Sequence, residues 1–223
     1  MSHIERLRAL VDPRGLDVID IGAGQGAFVG ELNGLGARAV GVEIEAEKVA
    51  RARDLSGTDI RLGTAEHLPV ADNSFDLLTY LFSFHHIPQE HHAAALSEAA
   101  RVLRPGGRVF VAEPRLDGDM TRIVSFIDDE TDVRTAAQAS LATLPPQYGF
   151  TIETKGSYTL TRIYADFDAL LDRLVSVDPA RAAAADAPGI RGKMRERFTA
   201  LGEKTAEGHA IHQTVDYILL RRT

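Results

Sequence analysis

The residues best suited to binding a ligand lie in the run from Asp20 to Gly26, which reads Asp-Ile-Gly-Ala-Gly-Gln-Gly. Apolar residues before the run predict a buried strand, and Phe28, Val29 and Leu32 predict the apolar face of a helix after it. Glycines at such a joint let the backbone approach a ligand closely, and the N–H groups at the helix start can bind it. The run therefore predicts a ligand-binding loop, a feature shared by many nucleotide-binding proteins.

An acidic residue follows this loop at the spacing expected of a ribose-binding carboxylate. Residues 39–42 predict a second short strand, and Glu43 comes directly after it, 21 residues beyond Gly22. A carboxylate at this point can accept hydrogen bonds from both hydroxyls of a ribose. The alternative is that Glu43 only begins the next helix, where negative charge is favourable. We favour ribose binding, because the glycine loop stands at the matching distance.

The glycine spacing leaves the type of cofactor open, because Gly22, Gly24 and Ala27 also satisfy the dinucleotide-binding pattern. Later segments narrow the choice. The run 63–70 follows a third predicted strand at 59–62, and a turn at 72–74 leads into a fourth strand. The run 103–111 closes a helix with Pro and Gly and then enters a fifth strand.

Together these segments resemble the class I S-adenosylmethionine-dependent methyltransferases, specifically the small-molecule group that includes quinone and sterol C-methyltransferases. The resemblance covers about residues 15–114. It implies S-adenosylmethionine as the cofactor and S-adenosylhomocysteine as the product. The positions that match the cofactor-binding residues of that family are Asp20, Gly22, Ala23, Gly24, Gly26, Glu43, Ile44, Thr64, Ala65, Glu66 and Leu81.

The resemblance also implies a role for each part of the site. The glycine loop cradles the methionine end, Glu43 binds the ribose, Ile44 lies against the adenine, and the segment 63–69 lines the adenine edge. The chain departs from the family at Thr64, where Asp is common. A Thr hydroxyl can accept one hydrogen bond from the adenine amino group but brings no charge. Transfer of the family role is therefore safer at Ala65 and Glu66.

The order of elements predicts an α/β fold, a Rossmann-like doubly wound sheet. We expect seven mostly parallel strands with an antiparallel last strand, within a single domain over residues 1–223. Two helical segments, 115–145 and 165–208, interrupt the later part of the chain. Because ligands bind beyond the C-terminal ends of parallel strands, we expect these segments to form a substrate lid. The alternative is that the second segment covers one edge of the sheet.

Candidate catalytic residues lie near the ends of the fourth and fifth strands. Methyl transfer from a sulfonium mainly requires an electron-rich acceptor to be positioned and water to be excluded. A general base helps when the acceptor must lose a proton, and His85, His86 and Glu113 are the candidates. His85 and Glu113 are the residues that we predict to be catalytic. Cofactor packing or helix capping is the alternative role of the histidines.

Four histidines at 85, 86, 91 and 92 raise the question of a metal site. Their spacing does not match a convergent i, i+4 pair on one helix, so we predict no metal. His91 and His92 are expected at the exposed start of a helix over 89–103. A basic stretch at 191–197 predicts a solvated helix face, with an acidic substrate as the alternative. Aromatic residues at 148, 158, 164 and 167 fit either an apolar substrate pocket or core packing.

Composition sets limits on partners and location. The chain of 223 residues has no Cys, which excludes disulfides and thiolate sites, and its formal charge of −7 argues against a general nucleic-acid-binding protein. No apolar run approaches membrane-spanning length, and the start has no apolar leader, so we expect a cytoplasmic enzyme without a membrane partner. The chain has 21 Arg against 4 Lys and many Ala, a composition that indicates a GC-rich bacterial source. The oligomeric state stays open, with a homodimer as one candidate.

The sequence therefore predicts an enzyme that binds S-adenosylmethionine and methylates a small molecule. Two alternatives remain. A binding module could hold the cofactor without catalysis, which only turnover would distinguish. A nicotinamide-dependent oxidoreductase could use the same loop, although the segment 64–69 and the absence of a Tyr-x-x-x-Lys pair argue against it.

Overall fold

The computed structural model of the chain describes residues 1–56, 58–178 and 180–223. Helices and strands alternate up to the third strand, and a helix again joins the fourth strand to the fifth. The helices are α1 (His3–Arg8), α2 (Ala27–Gly34), α3 (Ala46–Ser56), α4 (His92–Val102), α5 (Asp119–Val124), α6 (Thr131–Thr143), α7 (Phe167–Val177), α8 (Ala180–Ala185) and α9 (Ile190–Leu201). The strands are β1 (Asp17–Ile21), β2 (Arg38–Glu43), β3 (Ile60–Leu62), β4 (Phe75–Leu81), β5 (Leu103–Pro114), β6 (Phe150–Tyr164), β7 (Glu203–Thr205) and β8 (Gly208–Arg222).

Two compact units share these elements. The core unit contains residues 2–113, 135–156 and 216–223, and the insertion unit contains residue 1 with 114–134 and 157–215. The long strands β6 and β8 contribute residues to both units. Helix α6 lies mostly in the core unit, whereas the predicted lid segment 115–145 includes it.

The sheet has the strand order β3-β2-β1-β4-β5-β8-β6, and the short β7 pairs with β8. Strands β1 to β5 pair in parallel, with Asp20 opposite Gly41 on β2 and Thr79 on β4. The sheet of the described residues has eight strands and not the predicted seven, because the short β7 adds a hairpin at the start of β8. The sheet is mostly parallel with one antiparallel strand, which confirms the predicted Rossmann-like fold class. Residues 18–21 of β1 are all buried, because helices cover both faces of a parallel sheet.

The core unit is built on a cluster of buried apolar side chains from β1, β4 and β5 packed against α4. Tyr80, Phe84, Leu96 and Val109 in this cluster are fully buried. Ala95, Ala99 and Val102 on α4 are buried as well, which places one face of that helix against the sheet. The C-terminal ends of β1, β2 and β4 therefore belong to a closely packed part of the core unit.

The insertion unit has an apolar core of its own. One face of α7 is buried within it, and this face carries Phe167, Leu170, Leu171 and Leu174. Tyr158 and Tyr164 are also buried, which favours core packing for these aromatic residues. The basic face of α9 is exposed, and its Arg191 and Arg195 pair with Asp186 and Asp168. These pairs fit the predicted solvated face.

Strands β6 and β8 are the two longest of the described strands. Strands β6 and β8 each span 15 residues, and β7 forms a short hairpin with the start of β8. Much of β6 is exposed and polar, so it lacks the apolar run that marks a buried strand.

Among the described helices, none is long and apolar enough to cross a membrane.

Candidate functional site

The glycine loop leaves β1 and turns back beside β2. The N–H groups of Gly22 and Ala23 both donate to the carbonyl of Val42, at 2.8 and 3.1 Å. Gly22, Gly24 and Gly26 all have positive φ, a conformation that strains any residue with a Cβ. The loop conformation therefore requires glycine at these three positions.

Close packing adds a second reason for glycine at both ends of the loop. A Cβ on Gly22 would lie 2.5 Å from the Cβ of Ser83, and one on Gly26 would lie 2.3 Å from the hydroxyl of Thr58. A Cβ on Gly24 would meet no atom within 4 Å. The middle of the loop therefore faces open space, which is the property that a ligand cradle needs.

Glu43 ends β2 and binds three backbone N–H groups around its carboxylate. Gly24 donates to Oε2 at 2.8 Å, while Ile44 and Glu45 donate to Oε1 at 2.9 and 3.0 Å. The residue is 6% exposed, so these bonds compensate the cost of burying its charge. A carboxylate offers about four lone-pair sites, which leaves about one of them, on Oε2, for a ligand hydroxyl.

Asp20 lies buried at the end of β1, next to the start of the loop. Thr79 donates a hydrogen bond to its Oδ1 at 2.6 Å. Burial raises the pKa of Asp20 to about 7, the Thr79 bond opposes this shift, and the charge of Glu43 adds to it. The loop therefore stands over two carboxyl groups that repel each other and that would both be stabilised by a cation.

The raised pKa of Asp20 predicts a stability that depends on pH. The folded protein holds the Asp20 proton up to about pH 7, and an unfolded Asp releases it near pH 4, so the wild type loses stability as pH rises between these values. Asp20→Asn cannot ionise and can still accept the Thr79 bond. We expect the unfolding free energy of Asp20→Asn relative to wild type to rise by about 2–3 kcal/mol from pH 5 to pH 8.

Urea unfolding of the ligand-free proteins at both pH values measures this difference. Asp172→Asn, on the exposed face of α7, is the control and should show the same relative stability at pH 5 and pH 8. An Asp20→Asn difference that does not change with pH would show that the carboxyl group is already ionised in the folded protein at pH 5.

The predicted adenine edge follows β3 beside the tip of β2. Gly63 donates to the carbonyl of Glu43 at 3.1 Å, and Thr64 forms an isolated bridge with His67. Ala65 is buried and Glu66 is half-buried. Ile44 is 67% exposed although it is apolar, so a flat apolar ligand has an uncovered surface to contact beside Glu43.

The segment after β4 crosses close to the glycine loop. Leu81 ends β4, and Phe82 adopts a positive φ of 55° while its N–H donates to the carbonyl of Ala112 at 2.9 Å. Ser83 then donates its hydroxyl to the carbonyl of Ile21 at 2.6 Å. This turn fixes the chain against the loop and directs the next residues toward the end of β5.

The two predicted catalytic residues, His85 and Glu113, form a buried pair. Nδ1 of His85 hydrogen-bonds to Oε2 of Glu113, and the N–H of Phe84 donates to Oε1 of the same carboxylate at 2.9 Å. His85 is 3% exposed and Glu113 is 5% exposed. The carboxylate therefore orients the imidazole through Nδ1, an arrangement that makes Nε2 the nitrogen able to accept a proton.

The remaining histidines take other positions. His86 is exposed, with its ring centroid 4.1 Å from that of His85. The prediction of an exposed His92 is wrong: the side chain is 1% exposed, and its ring nitrogens bond to the Ser140 hydroxyl at 2.8 Å and the Ile87 carbonyl at 2.9 Å. Burial lowers the pKa of His92. A neutral ring that uses both nitrogens in this way is a structural element, buried because α6 packs over the start of α4.

The structure thus brings the predicted residues together at the C-terminal ends of the parallel strands of the core unit. The glycine loop, Asp20 and Glu43 lie at the ends of β1 and β2, and His85 with Glu113 lies at the ends of β4 and β5. The sequence analysis did not identify two further residues of this region, Thr79 and Ser83. Their hydroxyl groups donate hydrogen bonds across the sheet to Asp20 and to the carbonyl of Ile21. Their signal was the polar character of Thr79 in an otherwise apolar strand and of Ser83 just beyond it.

Comparison with known proteins agrees with this geometry. Residues 19–111 match a family model described as a methyltransferase domain. The chain is 37% identical over 102 residues to the uncharacterised protein YafE of Escherichia coli K12, covering 44% of this chain and 48% of that protein. It is 36% identical over 107 residues to a demethylmenaquinone methyltransferase of Corynebacterium kroppenstedtii, covering 48% and 45%. The chain spans about half the length of the curated relatives it matches.

Solved structures show the likeness of the fold over nearly the whole chain. An S-adenosylmethionine-dependent methyltransferase from Mesorhizobium loti aligns with a TM-score of 0.55 at 17% identity, covering 98% of this chain and 96% of that one. The cyclase SpnF aligns with a TM-score of 0.57 at 20% identity, covering 98% and 80%. At such identities the likeness shows the fold alone.

Proposed function

We propose that this chain is a class I methyltransferase that transfers a methyl group from S-adenosylmethionine to a small-molecule acceptor. The fold and the match of residues 19–111 to a methyltransferase domain support the proposal. The observation that supports the proposal most is the buried carboxyl group of Asp20 at the start of the glycine loop. Glu43 would bind the ribose of either type of cofactor, whereas a carboxyl group beside the loop favours the cationic methionine end of S-adenosylmethionine. The pyrophosphate of a dinucleotide would instead be repelled.

The residues present fit S-adenosylmethionine. We infer that the loop from Gly22 to Gly26 would hold the methionine end, Glu43 the ribose, and Ile44 with the segment 63–69 the adenine. The open space above Gly24 and the exposed apolar surface of Ile44 support this assignment. When bound, the cofactor supplies a methyl group on a positively charged sulfur that is ready for displacement.

The chain's own contribution to the reaction would be to position the acceptor, exclude water and, for an acceptor that ionises, remove a proton. His85 suits the last task because Glu113 holds Nδ1 and so presents Nε2 as the base. Glu113 would stabilise the positive charge that the imidazole gains. An acceptor carbon or an acceptor already deprotonated would need neither residue.

Acceptor choice is proposed to lie in the insertion unit, since every predicted cofactor residue comes before residue 115. Demethylmenaquinone, the acceptor in the names of several relatives, is the first compound to test. A cytoplasmic location and a homodimer stay predictions.

A conservative substitution in each unit tests whether the insertion unit binds the acceptor and the core unit binds the cofactor. Ile123→Val removes one methyl group from the core of the insertion unit, and we expect a cost of about 0.5–1.5 kcal/mol in stability. We expect the KM for the acceptor to change and the Kd for S-adenosylhomocysteine to stay unchanged. Ile218→Val removes one methyl group from a half-buried position of the core unit and serves as the control. A parallel change in both constants would contradict the proposed division of roles.

Two measurements test the function itself. Calorimetry should show binding of S-adenosylhomocysteine and none of NAD, whereas the reverse result would refute the methyltransferase proposal. Transfer of a labelled methyl group from S-adenosylmethionine to reduced demethylmenaquinone, or to a small-molecule extract, tests turnover. Binding without transfer to any acceptor would favour a cofactor-binding module.

A further inference from the structure

The predicted adenine edge, residues 63–69, has no regular secondary structure, so its position depends on contacts with other elements. Its first end is tied to β2 through Gly63, whose N–H donates to Glu43. Gly63 also packs closely on Pro69, because an added Cβ would lie 2.8 Å from Cδ of that ring. Its far end, from Leu68 to Asp72, is held by side chains of α4.

Glu98 and Arg101 on α4 supply that second attachment. Glu98 Oε2 accepts the N–H of Leu68 at 2.8 Å. Arg101 donates from Nη2 to the carbonyl of Leu68 at 3.1 Å, and from Nη1 to the carbonyl of Val70 at 2.9 Å and to Asp72 at 2.6 Å. The pair therefore holds both polar backbone groups of Leu68 and the turn that follows.

The arginine uses every donor that it has. Nε and Nη2 also donate to the two carboxylate oxygens of Glu98, at 2.7 and 2.8 Å, which brings the total to the five N–H groups of a guanidinium. The side chain of Arg101 is 31% exposed and that of Glu98 is 19% exposed, so the pair is partly shielded from solvent. A lysine, with three donors on one nitrogen, cannot reproduce this fork.

We propose that Glu98 and Arg101 are positioning residues that set the adenine edge and so determine the preference of the site for an adenine base. The proposal rests on the proposed function, because it assumes that residues 64–66 face the base of S-adenosylmethionine. A site built to hydrogen-bond a particular edge rejects a base whose donors and acceptors are reversed. That rejection requires the edge to stay fixed, since displacement by about 1 Å is enough to misalign such bonds.

The test compares S-adenosylhomocysteine with S-inosylhomocysteine, which carries a carbonyl where adenine has its amino group. Calorimetry gives both Kd values for the wild type, Arg101→Lys and Glu98→Gln. The control is Arg104→Lys, the same exchange three residues later. The Arg104 guanidinium pairs with Asp17 and Asp76, which lie at the N-terminal ends of β1 and β4, away from the predicted cofactor residues.

We expect Arg101→Lys to weaken S-adenosylhomocysteine binding by about tenfold, as the loss of one or two hydrogen bonds predicts. The preference for the adenine compound over the inosine compound should fall toward one, and the KM for S-adenosylmethionine should rise while kcat stays within about twofold. Glu98→Gln should also weaken binding and lower the preference for the adenine compound. Its amide nitrogen is a donor and would replace one of the two oxygens that accept hydrogen bonds from Arg101. Arg104→Lys should leave the preference unchanged.

An unchanged preference in Arg101→Lys, even with weaker binding of both compounds, would overturn the proposal and leave the pair a structural role. If Arg101→Lys fails to fold, the Glu98→Gln ratio decides by the same criterion. A wild type that binds neither compound would instead refute the proposed function, so the two failures are distinguishable.

Discussion

Glu113→Gln is expected to lower kcat by roughly 10²–10⁴-fold, the usual contribution of a general base, with an acceptor that must lose a proton. The glutamine can still accept the Phe84 N–H through its oxygen, and its amide nitrogen then faces Nδ1 of His85. An amide donor at that point makes Nδ1 the acceptor and moves the imidazole proton to Nε2. The imidazole would keep its place but lose the nitrogen that accepts a proton.

Single-turnover rates with saturating S-adenosylmethionine measure this effect. His85→Gln should lose a similar factor, and the double variant should lose little more, because the two residues act as one unit. The Kd for S-adenosylhomocysteine should stay within about twofold in each variant, since a lost base does not alter ground-state binding. If both single variants retain most of the activity, methyl transfer here depends on positioning alone.

Glu43→Ala is expected to weaken S-adenosylhomocysteine binding by about 2–3 kcal/mol, the range for hydrogen bonds to a charged group. That loss corresponds to roughly 30–150-fold in Kd. The substitution removes the acceptor for the ribose and also leaves the N–H groups of Gly24, Ile44 and Glu45 without their carboxylate. The loop would lose its attachment to β2 at the same time.

Glu45→Ala is the matched control for this variant. Glu45 is an exposed carboxylate two residues further on, and it pairs with Lys48 on the surface. Its replacement preserves the N–H that donates to Glu43, so we expect the Kd to stay within about twofold, as for an exposed ion pair. Equal losses in Glu43→Ala and Glu45→Ala would mean that net charge, and not the ribose contact, accounts for the affinity.

The parts of the site that sequence could predict are those formed by neighbouring residues. The glycine loop depends on backbone conformations that only glycine adopts easily, and the position of Glu43 follows from where β2 ends. The alternation of apolar strands and amphipathic helices predicted the parallel sheet for the same reason, because each element carries its own pattern of burial.

The parts that escaped prediction join residues far apart in the chain. Thr79 bonds to Asp20 across 59 residues, His92 to Ser140 across 48, and Leu68 to Glu98 across 30. A single sequence shows that each of these residues is polar but not which partner it meets after folding. The buried His92 is the clearest case, since nothing local distinguishes it from an exposed histidine at a helix start.

The hydrogen bond between Gly24 and Glu43 has a consequence for the net affinity of the site. Oε1 of Glu43 is occupied by two N–H groups, so a ribose with two hydroxyls can bind fully only if the Gly24 amide leaves Oε2. Gly24 is the one of these three donors that lies on the loop and not next to Glu43. We therefore expect the amide signal of Gly24 in NMR spectra to shift strongly when S-adenosylhomocysteine binds, and the amide signals of Ile44 and Glu45 to shift little. The measured affinity would then be a net value, in which the gain from two ribose hydroxyls is reduced by the release of one amide of the protein.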